Sequence, residues 1–187
     1  IFYNASFEEL YPDTEIPMQW YSGSEYGLFF GADSSQYTRG NKSLLVRSTQ
    51  PMQRWGAMSF LRMMDFQFPE PIRTISIEMD IKADSVMNGY FSPFIWKQKT
   101  EGEIIVKNLA ADSLKGNIEW QRYSITDSIE LDIAQDKVFA GIQLNAKGQV
   151  WVDNVTLFIN GEKVDFSLDK EKNYQEESRQ EEKGHQE

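Results

Sequence analysis

The sequence predicts an all-β, antiparallel sandwich or barrel with a polar C-terminal tail, and three observations predict it. Apolar and polar residues alternate with period two along several stretches. Clusters of Gly, Asn and Pro punctuate those stretches. No segment before residue 168 carries a helical period. Many short strands with one apolar face bury it by packing two sheets or closing one. With 187 residues, 40% of them hydrophobic and 13% aromatic, the chain can close one sizeable core, but two ordinary domains plus linkers would not fit.

Residues 4–9 (Asn4-Ala5-Ser6-Phe7-Glu8-Glu9) open the chain as the first strand, and 43–48 and 56–63 follow. Residues 73–83 alternate cleanly, with Ile75, Ile77, Met79, Ile81 and Ala83 facing one way and Ser76, Glu78, Asp80 and Lys82 the other. Residues 89–98, 103–109 and 120–126 are further strands. The pattern repeats at Val138, Ala140, Ile142 and Leu144, and 148–157 close the set as the last strand. Turns are expected at Arg39-Gly40-Asn41, Pro69-Glu70-Pro71, Asn88-Gly89, Glu101-Gly102, Lys115-Gly116-Asn117, Lys147-Gly148 and Asn160-Gly161. Beyond Phe166 the chain is almost entirely charged or amide and cannot bury a face. The division expected is therefore a sandwich over 1–166 and a charged linker or tail over 167–187.

Charge and inventory exclude whole classes of function. The net charge is −10, and residues 162–187 hold nine acids against five Lys/Arg, leaving −6 on the body. An acidic body with scattered basic residues offers no phosphate-binding stripe, so no nucleic-acid partner is expected. No run approaches the ~20 apolar residues of a membrane helix, so no membrane insertion is expected. The start at Ile1 without a basic-then-apolar leader reads as a signal peptide already removed. The absence of cysteine excludes disulfides and thiolate sites. The location expected is extracytoplasmic, in the periplasm or at the cell surface of a bacterium.

The order of the motifs carries a resemblance. Asn4-Ala5-Ser6-Phe7-Glu8-Glu9 is followed by Pro17-Met18-Gln19-Trp20 and Gly40-Asn41-Lys42-Ser43-Leu44-Leu45-Val46. Leu114-Lys115-Gly116, Trp120-Gln121-Arg122-Tyr123 and Gly148-Gln149-Val150-Trp151-Val152-Asp153-Asn154-Val155 come later. The set resembles the galactose-binding-like jelly rolls, above all carbohydrate-binding modules. Residues 94–157 are more similar still to a subgroup in front of Bacteroidetes hydrolases, namely tail-specific-protease-like serine peptidases and erythromycin-esterase-like proteins. That subgroup carries an Asp where this chain has Lys107, within Val106-Lys107-Asn108-Leu109, so no role of that acid is carried over. The fold implied is an antiparallel jelly-roll β-sandwich.

Four constellations could carry chemistry. By the resemblance, Glu8 and Asp153 bind a structural Ca²⁺ together with backbone carbonyls of the turn containing Gly40 and Ser43; hard oxygens from chain-distant strands suit that ion. The alternative is that Asp153 caps a turn and Glu8 is solvated. A sugar platform is the second: flat aromatic faces pack on sugar C–H faces while amides and charges read the hydroxyls. The family's concave face then holds Trp55, Tyr90 and Trp96 near Arg62, Gln143 and Asn145, with Trp20, Trp120 and Trp151 in the packing framework. Trp55 follows the loop-like Pro51-Met52-Gln53-Arg54 and is the best exposed candidate. Glu78-Met79-Asp80-Ile81-Lys82 touches a laminarinase-like signature, but the second Glu is missing and the residues read as an ordinary polar face. Nucleophilic catalysis lacks a base, since the only histidine, His185, lies in the tail.

The function expected is a noncatalytic accessory module of a secreted or surface multidomain protein, binding an oligo- or polysaccharide beside a catalytic domain of the same chain. The alternative is a structural module that packs on that hydrolase domain and binds no sugar.

Overall fold

The structure, a computed structural model, describes residues 4–22, 27–50, 57–61, 74–99, 102, 104–109, 114–128 and 137–164, with 57–61 and 104 as backbone alone. Its described elements are strands: β1 (Trp20–Tyr21), β2 (Leu28–Asp33), β3 (Ser43–Ser48), β4 (Ala57–Leu61), β5 (Thr74–Gln98), β6 (Ile104–Asn108), β7 (Gly116–Ser128), β8 (Lys137–Ile159) and β9 (Glu162–Lys163). Every pairing is antiparallel.

Two long strands organise the molecule. β5 and β8 pair along their whole length, from Ile75 opposite Ile159 to Gln98 opposite Lys137. Their partners divide them into halves. The N-terminal half of β5 and the C-terminal half of β8 lie between β7 and β3, with β2 outside β3; this is the back sheet. The other halves lie between β6 and β4, with β1 outside β4; this is the front sheet. Ile75, Ile77, Met79 and Ile81 of the back sheet and Ile95, Val138, Ala140 and Ile142 of the front sheet are fully buried in one hydrophobic cluster, which supplies most of the stabilisation. β9 adds two residues against the end of β8.

The bend between the halves corrects two expected turns. Asn88-Gly89 and Lys147-Gly148 do not reverse the chain; each lies inside one continuous strand. The β5/β8 register shifts between Asp84 and Met87 and again between Met87 and Tyr90. Ser85 and Asn88 take positive φ there, and Gly148 has φ 142°. A Cβ on Gly148 would come within 2.7 Å of the Ser85 carbonyl oxygen, and one on Gly89 would strike the carbonyl of Asn145. Glycine thus serves a bulge and a close backbone approach, which a turn signal cannot be told from in sequence.

The opening motif is a second correction. Residues 4–9 form a turn, not the expected first strand. Asn4 is buried, and its amide nitrogen donates to the carbonyls of Glu9 (2.5 Å) and Met18 (3.2 Å) while its Oδ1 accepts from Glu9 N (3.1 Å). Phe7, at φ 60°, enters the core 4.9 Å from the Trp20 ring. Trp20 Nε1 donates to the Asn4 carbonyl, and Val155 N to the Ala5 carbonyl, which ties this hook to β8. An asparagine satisfying backbone groups outcompetes strand pairing locally.

The tryptophans of the packing framework separate. Trp20 is in the core. Trp151 is buried on the outer side of the back sheet, since Val150 and Val152 flank it and point inward, and its indole N–H donates to Asp33 Oδ2 at 2.6 Å. Trp120 is half-buried. At one end of the sandwich Lys97, on the inward side of β5, reaches β7 with Nζ 2.6 Å from Asp127 Oδ2 and 3.0 Å from the Ser128 carbonyl.

Candidate functional site

The outer side of the front sheet gathers most of the expected sugar-binding residues. Along β5, Phe91 and Ile95 belong to the core, so Tyr90, Ser92, Phe94 and Trp96 face outward. Register sets them against β8: Tyr90 opposite Asn145, Ser92 opposite Gln143, Phe94 opposite Gly141 and Trp96 opposite Phe139. On the other flank of β5, Phe94 pairs with Asn108 and Trp96 with Val106. The Trp96 and Phe139 rings lie 5.2 Å apart at 33°, a tilted aromatic pair.

Four of the six expected binding residues, Tyr90, Trp96, Gln143 and Asn145, therefore share one face; Trp55 and Arg62 lie outside the described residues. Tyr90, Trp96 and Asn145 are half-buried, and Gln143 is buried. Phe94 and Ser92 are fully buried. Gln143 Oε1 and Asn145 Oδ1 are buried without a hydrogen-bond partner. A buried amide oxygen left unmatched costs about 1–3 kcal/mol, which a ligand hydroxyl can recover. Because a hydroxyl both donates and accepts, it can meet either end of an amide.

Sequence reading missed Phe139, Val106, Asn108 and Tyr21. Only the register shows them on this face: Tyr21 pairs with Met58, and Met58 with Gly141. Alternation within 104–108 likewise places Val106 and Asn108 together and Lys107 opposite.

The second expected site, on Glu8, Gly40, Ser43 and Asp153, also comes together. Asp153 is fully buried, and its Oδ2 accepts from Thr38 N (2.7 Å), Thr38 Oγ1 (2.8 Å) and Arg39 N (2.8 Å). Its Oδ1 accepts from Asn154 N at 2.6 Å. Glu8 Oε1 accepts from Asn41 N (2.7 Å) and Lys42 N (3.0 Å), with Lys42 Nζ 3.8 Å from Oε2. Ser43 Oγ donates to the Gln36 carbonyl. Gly40 has φ 72°, and a Cβ there would strike the Glu8 carboxylate, so only glycine lets that carboxylate close on the turn. Two carboxylates from opposite ends of the chain thus clip one loop. Carboxylate oxygens are the donor type Ca²⁺ takes, but N–H groups of the loop already bond to both of these, so a Ca²⁺ would have to share them. No group of three or more His, Cys, Asp or Glu suited to a metal occurs among the described residues.

The carboxylates of the glycosidase-like stretch are tied up. Arg122 Nε donates to Glu78 Oε2 (3.2 Å), and Nη1 donates to Asp80 Oδ1 (3.0 Å) and to the Asn154 carbonyl (2.7 Å). Lys82 pairs with Glu119 at 3.0 Å. This is the polar face that alternation predicts. Next to it, burial works to raise the Asp33 carboxyl, but the Trp151 indole N–H and both Ser35 donors outweigh it and hold the group below its ordinary 3.8.

No family model and no curated protein matches the chain. Solved structures do. The CBM22-1 xylan-binding domain of Paenibacillus barcinonensis Xyn10C superposes with a TM-score of 0.60 at 14% identity, covering 83% of this chain and 91% of that one. The CBM22-1-GH10 modules of the Clostridium thermocellum xylanase Xyn10B, complexed with xylohexaose, give 0.55 at 14%, covering 75% of this chain and 26% of that one. A cyclase from Fischerella sp. TAU gives 0.55 at 15%, covering 86% and 96%. At such identities the likeness is one of fold, and a fold hosts several chemistries. The chain is an antiparallel jelly-roll β-sandwich of the kind seen in the family 22 carbohydrate-binding modules.

Proposed function

We propose that the outer side of the front sheet binds a neutral, hydroxyl-rich polysaccharide and that the module is noncatalytic. The observation that carries this is the coincidence, on one face, of Tyr90, Trp96 and Phe139 with two buried amide oxygens lacking partners, on Gln143 and Asn145. Rings supply flat apolar area, and the amides need hydroxyl partners. Xylan recognition by similarly folded modules supports the substrate class. The ion pairing of Glu78 and Asp80 with Arg122 supports the noncatalytic reading.

In this reading the module serves a secreted or surface protein and holds an adjacent hydrolase domain of the same chain on its substrate, as the acidic tail and the module-plus-xylanase arrangement of one similar structure suggest. A Ca²⁺ held by Glu8 and Asp153 stiffens the loop at the sheet edge and takes no part in sugar contact.

The test is a glycan array of plant, host and bacterial glycans with excess Ca²⁺, run with wild type and Trp96→Ala. A specific signal lost in the variant, with Kd in the ~1 μM to 1 mM range, is the expected result. A signal retained in the variant moves the site off this face. Silence across the array removes the glycan reading and favours the module that packs on its neighbour without sugar.

A further inference from the structure

Each sheet has two outer strands, and three of the four are short or covered. β1 is two residues long. β2 is six residues long, and its Ala32 N–H already donates to the Glu15 carbonyl at 2.6 Å. β6 is five residues long and carries Lys107; a short strand bearing lysine is guarded against edge-to-edge pairing. β7 is different. It runs for 13 residues without proline or lysine, and among the described residues it pairs with β5 alone. Such an outer strand presents a row of backbone donors and acceptors to any second strand.

The register of β7 against β5 slips between Ile118 and Gln121, a bulge that bends the strand and ends the regular edge there. The open stretch is therefore Trp120 to Ser128, with Ser124 at its centre. Arg122, Ser124, Thr126 and Ser128 are exposed. On the other side of the strand Ile125 lies in the core, and Tyr123 packs against that core while half-buried. The charges of the stretch are matched locally, Arg122 by Glu78 and Asp80, and Asp127 by Lys97. One Arg and one Asp leave it neutral in a chain of net charge −10, so a second copy approaching here meets little of the repulsion it would meet elsewhere.

We propose that β7 pairs antiparallel with β7 of a second copy of this chain, about a two-fold axis at Ser124. A partner for this edge must itself offer an open strand, and β7 is the long open strand the structure shows. A two-fold axis lets the same surface serve both copies. Centred on Ser124, the pairing sets Tyr123 opposite the other copy's Ile125, twice, as an aromatic–β-branched pair on the core side. Arg122 falls opposite Thr126, and Gln121 opposite Asp127, so no charge faces its like. The two back sheets become one, and a two-fold axis normal to that sheet turns both front sheets to the same side. If the front sheet binds glycan, two sites then meet one polysaccharide surface together; the pairing itself does not depend on that reading.

The experiment is sedimentation velocity on the full chain, without sugar, from about 10 μM to about 1 mM. Wild type should pass from monomer to dimer over that range. Ser124→Glu sets two carboxylates face to face on the axis and should raise the dimer Kd about fivefold. Ser34→Glu, at an exposed serine in the loop after β2, should follow wild type. Because the chain has no cysteine, Ser124→Cys puts one thiol per copy on the axis. In oxidised glutathione it should form a linked dimer far faster than Ser34→Cys does, a readout that holds even if Ser124→Glu folds poorly. A wild type that stays monomeric throughout overturns the pairing. So does a dimer indifferent to Ser124→Glu, or a Ser124 thiol that links no faster than the Ser34 thiol. Each of these outcomes leaves the glycan reading of the front sheet standing.

Discussion

Removing the Lys97 ammonium should destabilise the fold far more than removing any exposed charge. Lys97 lies on the inward side of β5, with 9% of its side chain exposed, and Asp127 with 16%. The 2.6 Å contact and the bond to the Ser128 carbonyl join the last turn of core on the front sheet to the end of β7 on the back sheet. In Lys97→Met the Asp127 carboxyl stays behind without its partner and largely out of water. Breaking a buried pair in this way costs 3–5 kcal/mol. Because Asp127 retains some access to water, about 3 kcal/mol is the figure to expect. For a domain of this size that is a fall in Tm of about 6–12 °C. Lys97→Met/Asp127→Leu removes both charges and keeps the volume, so it should recover most of the loss or exceed wild type. Thermal unfolding followed by circular dichroism, on the two single variants and the double, closes the cycle. The reasoning fails if Lys97→Met melts with wild type, or if the double variant is as unstable as the two singles added together.

Two further outcomes follow from the loop and sheet edge. Asp33 is held below 3.8 by its Trp151 and Ser35 bonds, so the carboxylate adds stability above the ordinary value and loses it as pH falls from 3.8 through the lower folded value. Urea melts over that acid range should show the gap between wild type and Asp33→Asn closing as pH falls; a constant gap refutes the assignment. If Ca²⁺ is held by Glu8 and Asp153, Ca²⁺ at a hundred times its Kd should add ~2.7 kcal/mol relative to EDTA, about 5–11 °C in Tm. That shift should vanish in Asp153→Asn and Glu8→Gln. An unchanged wild-type Tm removes the metal and leaves the N–H bonds as the whole latch.

Much of the architecture was legible because burial obeys the period of the strand. The alternation from Ile75 to Ala83 reads directly as a buried row, and Tyr90, Trp96, Gln143 and Asn145 do come to one face. What sequence could not show is what depends on partners far along the chain. Asn88-Gly89 and Gly148 announce positive φ, and only the contacts with Asn145 and Val86 reveal a bulge instead of a turn. Asn4 looks like part of a strand until its amide is seen holding Glu9 and Met18. Tyr21 joins the outer side of the front sheet through the pairing of β1 with β4, which nothing in the letters near residue 21 encodes. Lys97 closes an apolar run with Gln98 and Lys99 behind it, and its partner lies thirty residues on.

The sharing of β5 and β8 between both sheets bears on how the molecule comes apart. Neither sheet has a spine of its own, so peeling one open means unzipping the strands that hold the other. Amide protons of Ile77 in the back sheet and Ile95 in the front sheet should exchange in the same rare event, at the free energy of global unfolding. The order of assembly is constrained as well. Residues as distant as Ile75 and Ile159 must meet to build the back sheet, so folding should be slow.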